Sequence, residues 1–162
     1  MISQIVIDSG VLVASVVEET YSKQADTLLT WIEAQNLIIV APTLLRYEVV
    51  ATLRKLTHRG TIKADDGINL IREALDTPIQ WVLDEALLER AYLLATEHGL
   101  PTAYDAQYLA VAERLGCDFW TFDKRLFDTV HEKLEWVHYV VNFSPPSVDK
   151  TGMEAHEEGG DS

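Results

Sequence analysis

The sequence predicts an α/β fold built around a mostly parallel sheet. Three observations carry this. Strand-length runs recur along the chain, at Ile5-Val6-Ile7, Leu37 to Val40, Ile79 to Val82, Asp118 to Phe122 and Trp136 to Val141. Segments with apolar residues at helical spacing separate them, and strands alternating with helices lie side by side in parallel. The first run is apolar throughout, as a strand covered on both faces must be.

Each element has a local reason. Asp8-Ser9-Gly10 ends the first strand and opens a helix that continues to Val17. Thr20 to Gln35 reads as a second helix through Ala25, Leu28, Leu29 and Ile32. Pro42 is expected at the start of a third helix, where its missing N–H does no harm, and Gly60 ends that helix after His58. Leu45, Val49, Thr52, Leu53 and Leu56 form its apolar stripe, with Glu48 beside it. Thr61 to Asp76 is expected as a fourth helix. Asp84 caps a fifth, through Leu87, Leu88, Ala91, Leu94 and Ala95. Thr102 to Ala112 belongs to a sixth, which places Tyr104, Tyr108, Leu109, Val111, Ala112 and Leu115 on one apolar arc. Asp123 ends the fourth strand, and Lys124 to Lys133 is helical.

Bulk properties bound the rest. A chain of 162 residues, 48% hydrophobic, suits one domain with a sizeable core. We expect that domain over residues 1–143 and an acidic, disordered tail over 144–162, after Ser144-Pro145-Pro146-Ser147. One cysteine, Cys117, excludes an internal disulfide. The Met1-Ile2-Ser3-Gln4 start does not resemble a secretory signal, and no apolar run is long enough to span a membrane, so a cytoplasmic protein is expected. Net charge is −13. Residues 149–162 contribute −4, leaving −9 on the rest, so broad attraction to phosphate backbones is excluded.

The acids point to chemistry. Asp105 sits inside an apolar arc, where a carboxylate is costly unless a cation or donors await it. Asp8 and Asp123 stand at the carboxyl ends of strands, where ligands of parallel sheets gather. Singly, each has an ordinary reading as a cap or a solvated helix residue. Together with Glu48 they would be four carboxylates at one place. Two such charges about 4 Å apart repel by about 4 kcal/mol at an effective dielectric near 20. Hard oxygen ligands without cysteine or clustered histidine select Mg²⁺ or Mn²⁺.

Four fragments, in order, resemble the PIN domain family and its VapC-type toxin ribonucleases: Ile5-Val6-Ile7-Asp8-Ser9-Gly10-Val11-Leu12-Val13, Arg46-Tyr47-Glu48-Val49, Tyr104-Asp105-Ala106-Gln107-Tyr108-Leu109-Ala110 and Thr121-Phe122-Asp123-Lys124-Arg125-Leu126. The likeness spans roughly residues 2 to 140. It implies a central parallel sheet flanked by helices, metal-dependent RNA cleavage, homodimers and a small antitoxin partner. It implies Asp8, Glu48, Asp105 and Asp123 as catalytic metal ligands and Thr121 as their hydrogen-bonding neighbour. Lys124 and Arg125 become candidates for contacting RNA phosphate. Gly10 departs from the family's usual small polar side chain. Two rival readings remain: a catalytically silent PIN-like protein-binding module, and a phosphotransfer domain with Asp8 as acceptor. Gly10, where a second acid would be needed, counts against the latter. The basic run Arg54, Lys55, His58, Arg59 and Lys63 reads as a solvated helix end. Trp31, Trp81, Trp120 and Trp136 read as packing residues.

Overall fold

The structure is a computed structural model that describes residues 3–147. Five strands form one sheet: β1 (Gln4–Ile7), β2 (Ile38–Pro42), β3 (Ile79–Val82), β4 (Asp118–Thr121) and β5 (Val137–Tyr139). Their order is β3-β2-β1-β4-β5, and every pairing is parallel. The strand order reverses between β1 and β4, which run in register from Ile5 beside Asp118 to Ile7 beside Trp120. Ile5, Val6 and Ile7 are buried, as a central strand with helices on both faces requires.

Seven helices accompany the sheet among the described residues: α1 (Ser9–Val16), α2 (Ser22–Ala34), α3 (Leu44–His58), α4 (Gly67–Leu75), α5 (Glu85–Glu97), α6 (Tyr104–Leu115) and α7 (Lys124–Val130). α1 packs with α2, α3 and α4, while α5 packs on α6, which lies against β1, β2 and β4. The stripes explain these contacts. Leu45, Val49 and Leu53 of α3 are buried, as are Leu87, Ala91 and Leu94 of α5. The tryptophans pack: Trp120 stacks on His138 at 4.7 Å, and Trp31 meets Phe143 at 5.5 Å.

Several expectations are corrected. Pro42 is the last residue of β2, paired with Val82, and α3 begins two residues later. A proline at a strand's end forfeits little of the ladder, and here Thr43 N–H reaches Val82 O at 3.4 Å. The fourth helix starts late. Gly60 reverses the chain at φ +75°, Lys63 is extended, and a short 3₁₀ turn over Ala64–Asp66 precedes α4. Gly67 then lets α4 approach α3, since a Cβ there would lie 3.3 Å from Thr57 Cγ2. The second helix begins at Ser22, the last strand is only Val137–Tyr139, and α7 stops at Val130. Tyr104 and Leu88 are not core residues: they are 64% and 56% exposed. Tyr104 opens α6, so no earlier turn covers it. Ser144 to Ser147, the first residues of the expected tail, are exposed and outside any helix or strand, and the rest of that tail, 148–162, lies outside the described residues. No helix of the described residues is long and apolar enough to cross a membrane.

Candidate metal centre

The strand-order reversal leaves a crevice beyond the carboxyl ends of β1 and β4, the general position for ligands in such sheets. Asp8 follows β1 and caps α1, its Oδ1 accepting from Val11 N–H at 3.3 Å. Its other oxygen accepts from Thr121 Oγ1 at 2.5 Å and from Phe122 N–H at 3.0 Å. The residue keeps some solvent contact, yet its carboxyl is enclosed by protein atoms. Burial pushes its pKa up to about 6 in spite of those three donors, with the Glu48 charge adding to the rise.

Thr121, the last residue of β4, is fully buried and ties two acids together. Its hydroxyl donates to Asp8 and accepts from Asp123 N–H at 2.9 Å. Asp123 caps α7 through Leu126 N–H at 3.0 Å. The ordinary capping reading of Asp8 and Asp123 is therefore true. Each cap uses one oxygen, and the second oxygen of Asp123 makes no hydrogen bond to a donor among the described residues.

Glu48 comes from α3, half-buried and one turn from Leu45 and Thr52. Tyr108 Oη donates to its Oε1 at 2.6 Å. Burial raises the Glu48 pKa, and the Tyr108 hydroxyl partly offsets this. The ring of Tyr108 is 1% exposed and stacks on Phe119 at 5.5 Å. Burial, with Glu48 and Asp8 alongside, strongly raises the phenol's pKa, which keeps it a donor. Reading Tyr108 only as an apolar residue missed this role. The usable signal was a tyrosine, not a phenylalanine, on a buried arc three residues after Asp105.

Asp105, in the first turn of α6, is half-buried. It accepts no hydrogen bond from a donor among the described residues. Burial pushes its pKa up to about 6, helped by the charges of Asp123 and Glu48 and by a proton that can bridge to Asp123. What meets Asp105 is therefore more acid. The four carboxylates form a ring of mutual influence: Asp8 with Glu48, Glu48 with Asp105, Asp105 with Asp123, and Asp123 back to Asp8 through Thr121.

As a donor set these residues suit a hard divalent cation, being all oxygen and short of compensating charge. Among the described residues, no three of Asp, Glu, His and Cys stand close enough to close on one ion. An ion held directly by three of them would need the carboxylates to draw together, whereas one held partly through water would not. The basic candidates lie at the rim. Lys124 is exposed and pairs with Asp128 at 2.6 Å, and Arg125 is exposed on the same turn. Arg46 turns away to cover Trp81, 5.1 Å from the ring centroid.

A parallel sheet with this strand order, bearing acids beyond its two central strands, belongs to a recognisable class. The chain is a member of the PIN domain family, whose model matches residues 5–133. Within that family it resembles VapC ribonucleases. Ribonuclease VapC3 from Pyrobaculum aerophilum is 33% identical over 131 residues, covering 76% of this chain and 92% of the relative. Ribonuclease VapC9 from Mycobacterium tuberculosis is 32% identical over 129 residues, covering 77% and 90%. The crystal structure of PAE2754 from Pyrobaculum aerophilum shares the fold, with a TM-score of 0.62 at 24% identity over 87% of this chain and 93% of that one.

Proposed function

We propose that this chain is a Mg²⁺- or Mn²⁺-dependent ribonuclease and the toxin of a type II toxin–antitoxin pair, acting in the cytoplasm. The observation that carries the metal is Asp105: a half-buried carboxylate whose neighbours are other carboxylates, which only a cation or protons make tolerable at neutral pH. RNA cleavage rests on family membership and on the VapC ribonucleases that this chain resembles.

Asp8 and Asp105 would hold the main ion, and Asp123 and Glu48 would complete its shell directly or through water. When bound, the ion lowers the pKa of a water and neutralises charge on the leaving oxygen of a phosphodiester. The protein's part is positional. Val11 N–H, Phe122 N–H and the Thr121 hydroxyl fix the plane of the Asp8 carboxylate. Tyr108 fixes one Glu48 oxygen and leaves the other free. Lys124 and Arg125 would meet RNA phosphate at the rim.

Two protein partners belong to this reading. A small antitoxin would occupy the chain when it is silent. A second copy would suit the exposed apolar side chains Tyr47 on α3, Leu88 on α5 and Tyr104 on α6, which line one concavity, because covering them buries apolar surface without bringing the acids of two chains together.

The test is cleavage of single-stranded RNA with Mg²⁺, with Mn²⁺ and with EDTA, for the wild type and Asp8→Ala. Cleavage that needs the ion and vanishes in the variant supports the proposal. Cleavage that persists in EDTA removes the metal, and no cleavage with either ion removes the nuclease.

A further inference from the structure

A second concavity opens at Gly10, two residues after Asp8. It holds about 430 Å³ and is lined by Gly10, Ala14, Glu19, Thr20, Tyr21 and Phe122. Gly10 and Phe122 set it next to the Asp8 turn. A Cβ at Gly10 would lie 3.2 Å from Asp8 Oδ1 and 3.3 Å from Phe122 Cβ, and the Phe122 N–H is itself an Asp8 donor. The missing side chain at position 10 leaves room between the carboxylate and the aromatic ring. Tyr21 and Phe122 stack on each other at 6.2 Å with planes 20° apart, and Tyr21 remains 41% exposed, so a flat ring can lie on the open surface of Tyr21. The rim is set in place, because Ser22 Oγ accepts from Glu19 N–H at 2.8 Å and donates to Val17 O at 2.9 Å.

Resting on the nuclease reading, we infer that this groove is a base subsite of the same centre and that it prefers guanine in single-stranded RNA. A chain this acidic gains little from phosphate contacts, so its substrate affinity must come from other interactions, and stacking a base on tyrosine is one that tolerates low positive charge. Glu19 at the rim repels phosphate, which turns the base and not the backbone inward. A carboxylate only accepts hydrogen bonds, and a threonine hydroxyl can donate one. Guanine presents N1–H and N2–H to such a carboxylate and its O6 to such a hydroxyl. Adenine offers Glu19 one amino donor beside the bare N1, whose lone pair repels the second carboxylate oxygen, and uracil offers a single donor.

The experiment is binding in EDTA, measured by fluorescence anisotropy with the labelled pentanucleotides AUGUA and AUAUA. The wild type binds AUGUA about tenfold more tightly, the effect of one well-made base contact. Tyr21→Ala weakens AUGUA roughly tenfold by loss of stacking, and Tyr21→Phe retains the wild-type affinity, which separates stacking from a fault in folding. Glu19→Gln removes the preference between the two oligonucleotides. Equal affinity of the wild type for both, absence of binding, or indifference to Tyr21→Ala overturns the subsite, even if the chain cuts RNA with Mn²⁺. A chain that shows the preference yet cuts nothing with either ion keeps the subsite and loses the nuclease.

Discussion

Two groups of carboxylates in this chain experience opposite fields. On the outer surface of α5 and α6, Arg90 bridges Glu97 at 2.9 Å and Glu113 at 2.7 Å, and Arg114 pairs with Asp84. The Arg90 guanidinium holds the Glu113 carboxyl below its usual range, and Arg114 does the same for Asp84. At the other end of α6, Asp105, Asp8 and Glu48 have no such cation among the described residues, and their pKa values rise. Both groups touch the same helix, so the supply of basic residues does not explain the difference. Arginines are placed where they relieve a solvated surface that hardly needs relief. Among the described residues none pairs with the crevice acids, where relief would matter most. An arginine in the crevice would stabilise the fold and occupy the place of an ion.

The contrast can be broken by experiment. The largest expected effect is on activity: Asp105→Asn lowers metal-dependent RNA cleavage by roughly a hundredfold or more, since it removes a charged ligand of the proposed ion. The same substitution raises metal-free stability by about 1 kcal/mol, because a repelled, half-buried charge is gone. A rate assay and a denaturant titration should therefore move in opposite directions. A fall in both would place Asp105 among ordinary structural acids.

Next in size is the dependence on pH. An acid whose folded pKa lies above its unfolded value takes up a proton on folding, so its contribution favours the native state at low pH and fades as pH rises. Asp8 and Asp105, each moved from 3.8 to about 6, place that loss between about pH 4 and pH 6. In EDTA the melting temperature should be several degrees higher at pH 5 than at pH 7.5. Adding Mn²⁺ at pH 7.5 should recover the difference by binding the native state. A melting temperature at pH 7.5 that ignores Mn²⁺ would refute a cation site.

A smaller effect isolates Tyr108. Tyr108→Phe keeps the ring on Phe119 and removes only the donor to Glu48. The cleavage rate should fall several-fold with little change in melting temperature, and the Mn²⁺ concentration giving half-maximal rate should rise. The smallest effect belongs to the paired acids: Arg90→Ala costs about 1 kcal/mol or less, and the cost shrinks in high salt, as for other solvated ion pairs. Cleavage by that variant should match the wild type.

Much of this was legible from residue order, for reasons that particular positions make plain. β3 runs from Ile79 to Val82 as expected, because its run is bounded by Pro78 and by Asp84, which caps α5. Asp8 and Asp123 stand after β1 and β4 because each ends a strand and opens a helix. The misreadings share a cause. Pro42 suits both a strand's end and a helix's start, and only pairing with Val82 decides between them. Tyr104 has the spacing of a core residue, but burial also needs a covering turn, and α6 begins there. Tyr108 was legible as buried. Its bond to Glu48 was not, because the partner lies 60 positions earlier and periodicity has no reach across that distance.

One bond has a temporal consequence. Thr121 Oγ1 and Asp8 are separated by 113 positions, so Asp8 leaves the ribosome well before its partner is made. Contacts this far apart close late in folding. A half-translated polypeptide carries Asp8 and Glu48 but neither of the later acids, and so cannot assemble the centre while still attached to its own messenger.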